Sequence, residues 1–595
     1  MSRSFQYDRR QGAVLLAPDR TRFRLWAPSC EEVTLEREGH EPFPMSAVGN
    51  GWFECEVASG AGVRYRYGIS AELSVPDPAS CAQPEDVHGP SLVVDPGSYI
   101  WRFPEWRGRP WQETVIYELH VGLCGGYRKL AEDLPRLTAL GVTAVELMPL
   151  SEFPGDRNWG YDGVFPFAPE SSYGTPDDLK YLIDEAHRNG LMIFLDVVYN
   201  HFGPDGNYLS QYADGFFAHG QKTPWGDAID FRRREVRDYF TDNALYWLME
   251  FRFDGLRMDA VQAIIDRSWL EELRQTVEAH VEEGRHVHLI LENENNDAAL
   301  LRDGFSAQWN DDAHNALHVL LTGEDEGYYG NFSGAPMHSL ETVLEEGFCF
   351  QGQEAPVDGR RRGSSSGDLP TDKFIFFLQN HDQTGNRAMG ERLTTLASPD
   401  ALHVAYALML LNPQIPMLFF GEEWGSRTPF FFFTSHGPEL AKIVRDGRRA
   451  EFRSFSAFQS VERREHIPDP NALETFERSR PDRAEMEQPE HRRWLDLTSG
   501  LLALRHRFIM PRLAGTVSAG AQILEGAAGK DKALLARWMM GDGALLTIAI
   551  NLGQDAAVLH DRPEGEAIYV WPHPPNGSVL GACSMGVWLK ESPHV

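Results

Sequence analysis

The sequence predicts an α/β protein in which a (β/α)8 barrel lies between an N-terminal β-sandwich and a small C-terminal β-domain. Three observations support this prediction. The first hundred residues alternate apolar and polar positions in short bursts, as half-buried strands do. From Trp111 the pattern changes to apolar strand, polar loop and helix, repeated, which implies parallel strand pairing. After about Thr498 the two-residue alternation returns.

The N-terminal bursts, such as residues 21–26 and 63–67, are separated by Gly and Pro, which favours short antiparallel strands. A Pro-rich passage over residues 75–110 then reads as a connection between domains. We therefore expect three domains. They cover residues 1–100 (a β-sandwich resembling a carbohydrate-binding module), 101–498 (the barrel) and 499–595 (the C-terminal β-domain).

The clearest helix of the middle region follows Gly174. Thr175 can cap its start, and Pro176 suits its first position. Gly190 is a natural end for this helix, and the apolar run 191–195 follows at once as a strand buried on both faces.

Similar apolar runs recur along the middle region. They lie at residues 114–119, 142–147, 253–258, 287–291, 374–378 and 417–420. With 191–195 these make seven strands, and a weaker eighth is predicted near residues 305–309. Eight parallel strands are the number that closes a (β/α)8 barrel.

Charge and hydropathy exclude two classes of partner. With 56 Lys and Arg against 87 Asp and Glu, the net charge is −31, so no basic face is available for nucleic acid. No apolar stretch reaches the roughly 20 residues of a membrane helix, and the N-terminus has no apolar signal segment. We expect a cytoplasmic protein.

No metal or cofactor is predicted. The six cysteines are scattered without a ligand rhythm, and no Gly-rich phosphate loop follows a strand. We also expect the arginine-containing loop 359–367 to be a solvated tip.

Carboxylates follow the ends of four predicted strands, where catalytic groups of such barrels lie. They are Asp196, Asp259, Glu292 and Asp382. Burying these charges without partners would be costly, so their placement calls for a reason beyond helix capping. Carboxylates accompanied by Arg257 and two histidines, His201 and His381, suggest acid chemistry on a neutral, hydroxyl-rich substrate.

The segments 196–201 (DVVYNH), 255–261 (GLRMDAV), Glu292 and 380–382 (NHD) resemble, in order and spacing, the four signature regions of the α-amylase family. This resemblance implies a retaining α-glucoside hydrolase or transferase. It implies Asp259 as nucleophile, Glu292 as general acid/base and Asp382 as the third carboxylate. The residues it implies around the reacting glucose are Tyr161, as a stacking ring, with Asp196, His201, Arg257 and His381.

Physical chemistry agrees with this division of roles. A retaining reaction needs one ionised and one protonated carboxyl. Arg257 should keep Asp259 ionised, while burial and nearby negative charge should raise the pKa of Glu292. Glu294 lies two residues beyond Glu292 and could point the same way. We favour Glu292 because it lies at the strand end.

Longer strings resemble the malto-oligosyltrehalose trehalohydrolase branch of the family. They include residues 76–80, 84–90, 117–122, 159–163, 225–229, 309–314 and 421–424. The implied substrate is maltooligosyl-trehalose, and the implied reaction is hydrolysis of the α-1,4 bond beside its terminal trehalose, a step of trehalose biosynthesis. A synthase that makes this substrate is the implied pathway neighbour.

The same resemblance implies further substrate contacts after the sixth and seventh strands and in the second signature region. These are Gln262, Asn310, Asp311, Asp312, His314, Gln383, Gly385, Asn386 and Arg387. Gln262 occupies a position where relatives often carry His. The alternative for the other eight residues is that they belong to ordinary polar loops and cap helices. Aromatic candidates for sugar subsites are Trp225, Tyr328, Tyr329 and Trp424, each of which could instead be packing.

Three alternatives remain open from the sequence, and one of them is another α-glucan hydrolase of the α-amylase family. A glycogen or starch branching enzyme pairs a similar N-terminal domain with the same barrel, and it would transfer the glucan to a sugar hydroxyl instead of water. A glucan-binding module without activity would keep the fold, but the complete carboxylate set argues against it.

Overall fold

The computed structural model describes residues 4–223, 226–357, 359–525, 532–560 and 562–592. Its centre is a closed barrel of eight parallel strands paired in chain order. The strands are β1 (Ile116–Leu119), β2 (Ala144–Leu147), β3 (Met192–Val197), β4 (Gly255–Met258), β5 (His288–Leu291), β6 (Ala307–Trp309), β7 (Phe374–Phe377) and β8 (Ile415–Phe419). The predicted barrel is confirmed. It includes the weakly predicted strand near residues 305–309, which is the sixth barrel strand in chain order.

The register between neighbouring barrel strands fixes which charged side chains lie next to one another below the site. Asp196 of β3 pairs with Arg257 of β4, so the acid and the base stand side by side at one level of the barrel. Glu118 of β1 pairs with Glu146 of β2 one step around the barrel. Because every residue of β1 to β5 is buried, these charged side chains lie within the barrel wall or its interior.

Helices surround the barrel. Their bounds are Tyr127–Ala131, Leu134–Leu140, Pro176–Arg188, Leu209–Tyr212, Arg234–Leu245, Ser268–His280, Ala298–Arg302, Asp311–Thr322, Gly330–Ser333, Pro336–Glu346, His381–Gly385, Leu393–Leu396, Pro399–Leu411, Pro438–Glu451, Val461–Glu465, Leu473–Arg478 and Pro489–Leu504. The predicted helix begins as expected, because the Thr175 side chain accepts from the Asp178 N–H in a full capping box.

The N-terminal region forms two sheets that pack face to face. Their strands are Gly12–Ala17, Arg20–Trp26, Ser46–Gly49 and Trp52–Ala58 in one sheet, and Thr34–Arg37, Phe43–Pro44, Arg64–Gly68, Ser74–Val75 and Ser91–Leu92 in the other. The buried rings of Phe23 and Tyr65, one from each sheet, lie 4.8 Å apart between centroids. The connector then docks on the barrel, where Tyr239 donates to the Pro78 carbonyl at 2.6 Å.

The C-terminal region is a five-stranded antiparallel sheet with a separate strand pair. The sheet consists of Val517–Ile523, Ala533–Met539, Leu545–Asn551, Ser584–Lys590 and Glu566–Trp571, and the pair of Ala557–Val558 and Val579–Leu580. Trp538 of this sheet donates to the Leu344 carbonyl of a barrel helix at 3.2 Å. The predicted β-domain is confirmed, while the exact domain limits remain a prediction.

Within the described part of the chain, no helix combines the length and the apolar character needed to cross a membrane.

Candidate active site

Arg257 is the centre of the site. Its fully buried guanidinium extends from β4 and contacts carboxylates supplied by three strands. Nη1 lies 2.7 Å from Asp196 Oδ2 and 2.9 Å from Asp259 Oδ1, and Nη2 lies 2.9 Å from Glu292 Oε2. The Trp309 ring of β6 covers the guanidinium carbon at 4.1 Å. One cation therefore holds three acids in fixed positions, and the two carboxyls expected to react contact different nitrogens of the same guanidinium.

Asp259 is held as an anion. Asn200 Nδ2 donates to its Oδ2 at 2.7 Å, while Arg257 occupies Oδ1. Burial would raise the pKa of Asp259, but the positive charge of Arg257 and the hydrogen bonds outweigh it, and the pKa lies below its ordinary value. A carboxylate that is ionised and 11% exposed can act as a nucleophile.

Glu292 is held as an acid, although it shares the same guanidinium. The Ala260 N–H donates to its Oε2 at 2.9 Å. Burial raises the pKa of Glu292 well above its ordinary value, and Asp259 and Asp382 add to this, while Arg257 opposes it. Two carboxyls joined through one arginine therefore differ in protonation, in the directions expected from the sequence.

Tyr161 forms one wall of the reacting position. Its hydroxyl donates to Asp196 Oδ2 at 2.5 Å, and its carbonyl accepts from His201 Nε2 at 2.9 Å. The Tyr161 ring stacks on the His381 ring, with centroids 5.0 Å apart and planes inclined by 25°. Burial raises the pKa of Asp196 to about 6 despite its contact with Arg257.

His381 is fixed by Glu118 of β1. The backbone N–H of His381 donates to Glu118 Oε2 at 3.0 Å, and its ring Nδ1 lies 2.5 Å from Glu118 Oε1. Both side chains are 1% exposed. Burial would lower the pKa of His381, but Glu118 and then Asp382 outweigh it and raise the pKa to about 9. The imidazole is therefore charged near neutral pH, and its Nε2 lies 3.5 Å from Asp382 Oδ1.

Asp382 faces an open cleft of about 380 Å³ beside Glu292. Its side chain is 38% exposed and accepts from Asn386 Nδ2 at 3.0 Å. The predicted residues that line this cleft with the two acids are Gln262, Asp311, Gln383 and Asn386. Glu294 also lines it, but its side chain is 55% exposed and pairs with Arg360, so the contacts favour Glu292 as the acid.

Three other predicted contact residues are buried and have protein partners. Asn310 caps the helix Asp311–Thr322 and donates to the Gly347 carbonyl, and His314 contacts the Leu378 carbonyl through Nδ1 at 2.6 Å. Asp312 accepts from the Cys349 and Phe350 N–H groups. Their contact with substrate remains a prediction. In the structure, their hydrogen bonds to neighbouring segments support the wall of the cleft.

Gly385 and Arg387 lie behind Asp382. A Cβ on Gly385 would come within 2.1 Å of the Trp159 ring, so only glycine allows this close approach. Arg387 makes a bidentate pair with Glu324 at 2.7 and 2.9 Å.

Of the aromatic candidates, Tyr328 is 48% exposed and lines the cleft. Tyr329 is buried in a stack on His318 with ring centroids 4.1 Å apart, and Trp424 is 2% exposed. Trp225 lies outside the described residues.

The expectation of a solvated arginine loop was wrong for Arg362. Its side chain is 10% exposed and lies 3.4 Å from Asp312, where it lines the cleft. The two facing strands Gln351–Glu354 and Arg361–Gly363 fold this loop back over the barrel, a long-range contact that loop composition does not reveal.

Sequence reasoning also missed Glu118 and Glu146, although a signal was present. Each is an acid in the middle of an otherwise apolar barrel strand. Glu146 is 1% exposed, and no hydrogen-bond donor among the described residues reaches either of its carboxyl oxygens. Burial, then Glu118 and Asp196, raise its pKa well above the ordinary value.

Comparison with known proteins places these features in context. The family model "Alpha amylase, catalytic domain" matches residues 99–227, and a domain of unknown function, DUF3459, matches residues 521–587. A malto-oligosyltrehalose trehalohydrolase of Deinococcus radiodurans is 42% identical over 82% of this chain and 81% of its own. One from Mycobacterium tuberculosis is 35% identical over 96% of this chain and 99% of its own.

A solved structure agrees with the fold. The crystal structure of a candidate alpha amylase from Salmonella typhimurium superposes with a TM-score of 0.92 at 42% identity, covering 98% of this chain and 100% of that one.

Proposed function

Because the chain belongs to the α-amylase family and, within it, to the malto-oligosyltrehalose trehalohydrolases, we propose that it releases trehalose from maltooligosyl-trehalose by hydrolysing the adjacent α-1,4 bond. It is a glycoside hydrolase. The observation that supports this proposal is that Arg257 contacts both Asp259, whose pKa is lowered, and Glu292, whose pKa is raised.

In the first step, the Asp259 carboxylate attacks the anomeric carbon of the glucose bound above Arg257. Glu292 transfers its proton to the glucosidic oxygen, the bond from that oxygen to the anomeric carbon breaks, and trehalose departs with the proton. The maltooligosyl group remains attached to Asp259 as an ester. Loss of the proton leaves Glu292 as a carboxylate, which its contact with Arg257 stabilises.

In the second step, Glu292 acts as a base. It takes a proton from a water molecule whose oxygen attacks the anomeric carbon, and Asp259 is released as a carboxylate. The product is a maltooligosaccharide of retained configuration, and Glu292 again holds its proton.

Three groups act on the sugar ring itself in this proposal. Tyr161 offers a stacking surface held by its bonds to Asp196 and His201. The half-exposed Asp382 and the charged His381 face ring hydroxyls, and their hydrogen bonds strengthen as positive charge develops on the sugar.

In this proposal the leaving trehalose occupies the 380 Å³ cleft, because the acid that protonates its oxygen lines that cleft.

We further propose that the enzyme is cytoplasmic. Its substrate would come from a synthase that converts the reducing end of a maltooligosaccharide into a trehalose unit.

The reaction is tested by incubating the purified protein with maltotriosyl-trehalose, and separately with maltopentaose and amylose. Free trehalose from the first substrate, with little action on the other two, is the expected result. Branched α-1,6 products, or cleavage of maltopentaose at a comparable rate, would overturn the proposed reaction.

The roles of the two glutamates are tested by a matched pair of variants. Glu292→Gln should lower kcat by about 10²- to 10⁴-fold, the usual contribution of a general acid. Glu294→Gln changes a nearby acid in the same cleft that is 55% exposed, and it should retain kcat within about threefold. The reverse ranking would transfer the acid role to Glu294.

A further inference from the structure

Tyr161 belongs to a turn in the loop after β2 (residues 148–175), and side chains on either side of it close that turn. Asn158 Nδ2 donates to Asp162 Oδ2 at 2.6 Å, and the Gly160 N–H donates to Asn158 Oδ1 at 2.8 Å. These bonds join the two ends of the turn. The place of Asp162 therefore helps to fix the place of the Tyr161 ring.

Asp162 is contacted from outside the turn by His436, which lies in the segment after β8 (residues 420–488). His436 Nε2 lies 3.4 Å from Asp162 Oδ2, and the imidazole is 2% exposed. In the ranges that the structure describes, His436 Nδ1 has no hydrogen-bond partner, so Asp162 is the polar group to which the ring is directed. The backbone N–H of His436 donates to Asn471 Oδ1 at 3.2 Å, which anchors the chain that carries the ring.

The contact keeps Asp162 ionised. Burial would raise the pKa of Asp162, but the hydrogen bonds from His436 and Asn158 outweigh it, and the pKa lies below its ordinary value. His201, which contacts the Tyr161 carbonyl through Nε2, adds to this lowering. Hydrogen bonds to a charged group are about twice as strong as neutral ones, so this acid can hold one loop against the other.

The same two segments meet again at Trp159, two residues before Tyr161. Trp159 Nε1 donates to the Phe431 carbonyl at 2.9 Å, and its ring stacks on Phe430, with centroids 5.3 Å apart and planes inclined by 18°. The segment after β8 therefore contacts the turn on both sides of Tyr161. Two such contacts restrict rotation of the turn, and with it the orientation of the tyrosine ring.

We propose that His436 and Asp162 form a positioning pair that holds the Tyr161 ring in the orientation needed beside the reacting glucose. Neither member of the pair is among the residues that line the cleft beside Glu292, so the pair acts through Tyr161 and not on the sugar. This inference rests on the proposed function, because it explains how one wall of the reacting position is kept in place.

The experiment measures kcat/KM for maltotriosyl-trehalose in the parent, His436→Phe and His436→Gln. Phenylalanine keeps a buried ring and removes the donor, so kcat/KM should fall about tenfold to 100-fold, because a misplacement of about 1 Å costs up to about 100-fold. Glutamine keeps a donor for Asp162, so His436→Gln should retain kcat/KM within about threefold. His466→Ala, which removes an exposed histidine from the same segment, is the matched control.

A double-mutant comparison shows whether the histidine acts through Tyr161. In a Tyr161→Ala background the positioned ring is absent, so adding His436→Phe should lower kcat/KM by less than about twofold. Scanning calorimetry on every variant establishes that it is folded at the assay temperature. Should His436→Phe melt below that temperature, Asp162→Asn tests the same contact from its other side and should show the same dependence on Tyr161.

The outcomes separate the two proposals. A folded His436→Phe that matches the parent, or that loses the same factor with and without Tyr161, would overturn the positioning pair, and so would a His436→Gln that loses as much as His436→Phe. A parent that releases no trehalose would instead overturn the proposed function. The same variants would then be compared on whichever α-glucan the parent cleaves.

Discussion

The pair formed by Glu118 and His381 determines the charge opposite Asp382. Because Glu118 raises the pKa of His381 to about 9, the imidazole is charged below that pH and loses its charge as the pH rises through it. The charged form is the better donor to an oxygen of the reacting sugar. Glu118 does not face the cleft, so it is a positioning residue.

Glu118→Gln should therefore narrow the active pH range from the alkaline side. Without the carboxylate, the pKa of His381 falls, so kcat at pH 8 should drop about tenfold while kcat at pH 5.5 changes about twofold. The measurement is kcat across pH 5 to 9 for the parent and the variant. A variant whose pH profile superposes on that of the parent, whatever its absolute rate, would show that Glu118 does not act through His381.

Glu146 is a second buried acid, and its raised pKa makes the stability of the folded protein depend on pH. Its pKa is raised in the folded protein, so both folded and unfolded states hold the proton below about pH 4.5 and no penalty arises there. Above that pH the unfolded chain ionises while the folded one stays protonated, and folding then costs about 1.4 kcal/mol per pH unit up to the raised pKa.

Glu146→Gln removes this cost, since an amide does not titrate. The melting temperature of the variant relative to the parent should rise steadily from pH 4.5 to pH 7. Differential scanning calorimetry at four pH values measures the difference. A constant difference across that range would mean that Glu146 is ionised in the folded protein.

Asp312 links the helix Asp311–Thr322 to the cleft wall. It accepts from two N–H groups at residues 349 and 350, from Asn296 Nδ2 at 2.8 Å and from Arg362. Removing one partner of a buried charged network leaves the others unsatisfied, which costs about 3–5 kcal/mol. The strands that carry Arg362 depend on this acid for their position over the cleft.

Asp312→Ala should accordingly raise KM for maltotriosyl-trehalose more than it lowers kcat, because the catalytic carboxyls are held by Arg257 instead. Limited proteolysis should also cut the variant faster within residues 349–362. Asp303→Ala, an exposed acid, is the control for loss of one negative charge. An unchanged KM together with an unchanged rate of proteolysis would show that the cleft wall keeps its position without Asp312.

Elements differed in how far the sequence could predict them. The apolar strand runs, such as that of β3, and the capped helix after Gly174 were predictable, because burial on two faces and capping leave local patterns. The catalytic acids were predictable because they follow those strands. The inward position of Arg362 and the pairing of Glu118 with His381, 263 residues apart, depend on contacts between distant segments and leave no local pattern.

The net charge of −31 on the protein has no counterpart in the substrate, which is a neutral sugar chain. A strongly negative surface steers charged ligands, and salt screens that steering within about 10 Å at 0.1 M. A neutral oligosaccharide carries no charge on which this field could act. The charges that do act on it, around Arg257, are buried and little screened.

We therefore expect kcat/KM for maltotriosyl-trehalose to change by no more than about twofold between 20 mM and 500 mM NaCl. Initial rates of trehalose release at low substrate concentration measure it directly. The melting temperature, measured in the same buffers, is the control, because salt screens repulsion between surface carboxylates and should raise it. A fall in kcat/KM of tenfold or more with an unchanged melting temperature would mean that a long-range charge interaction takes part in substrate capture.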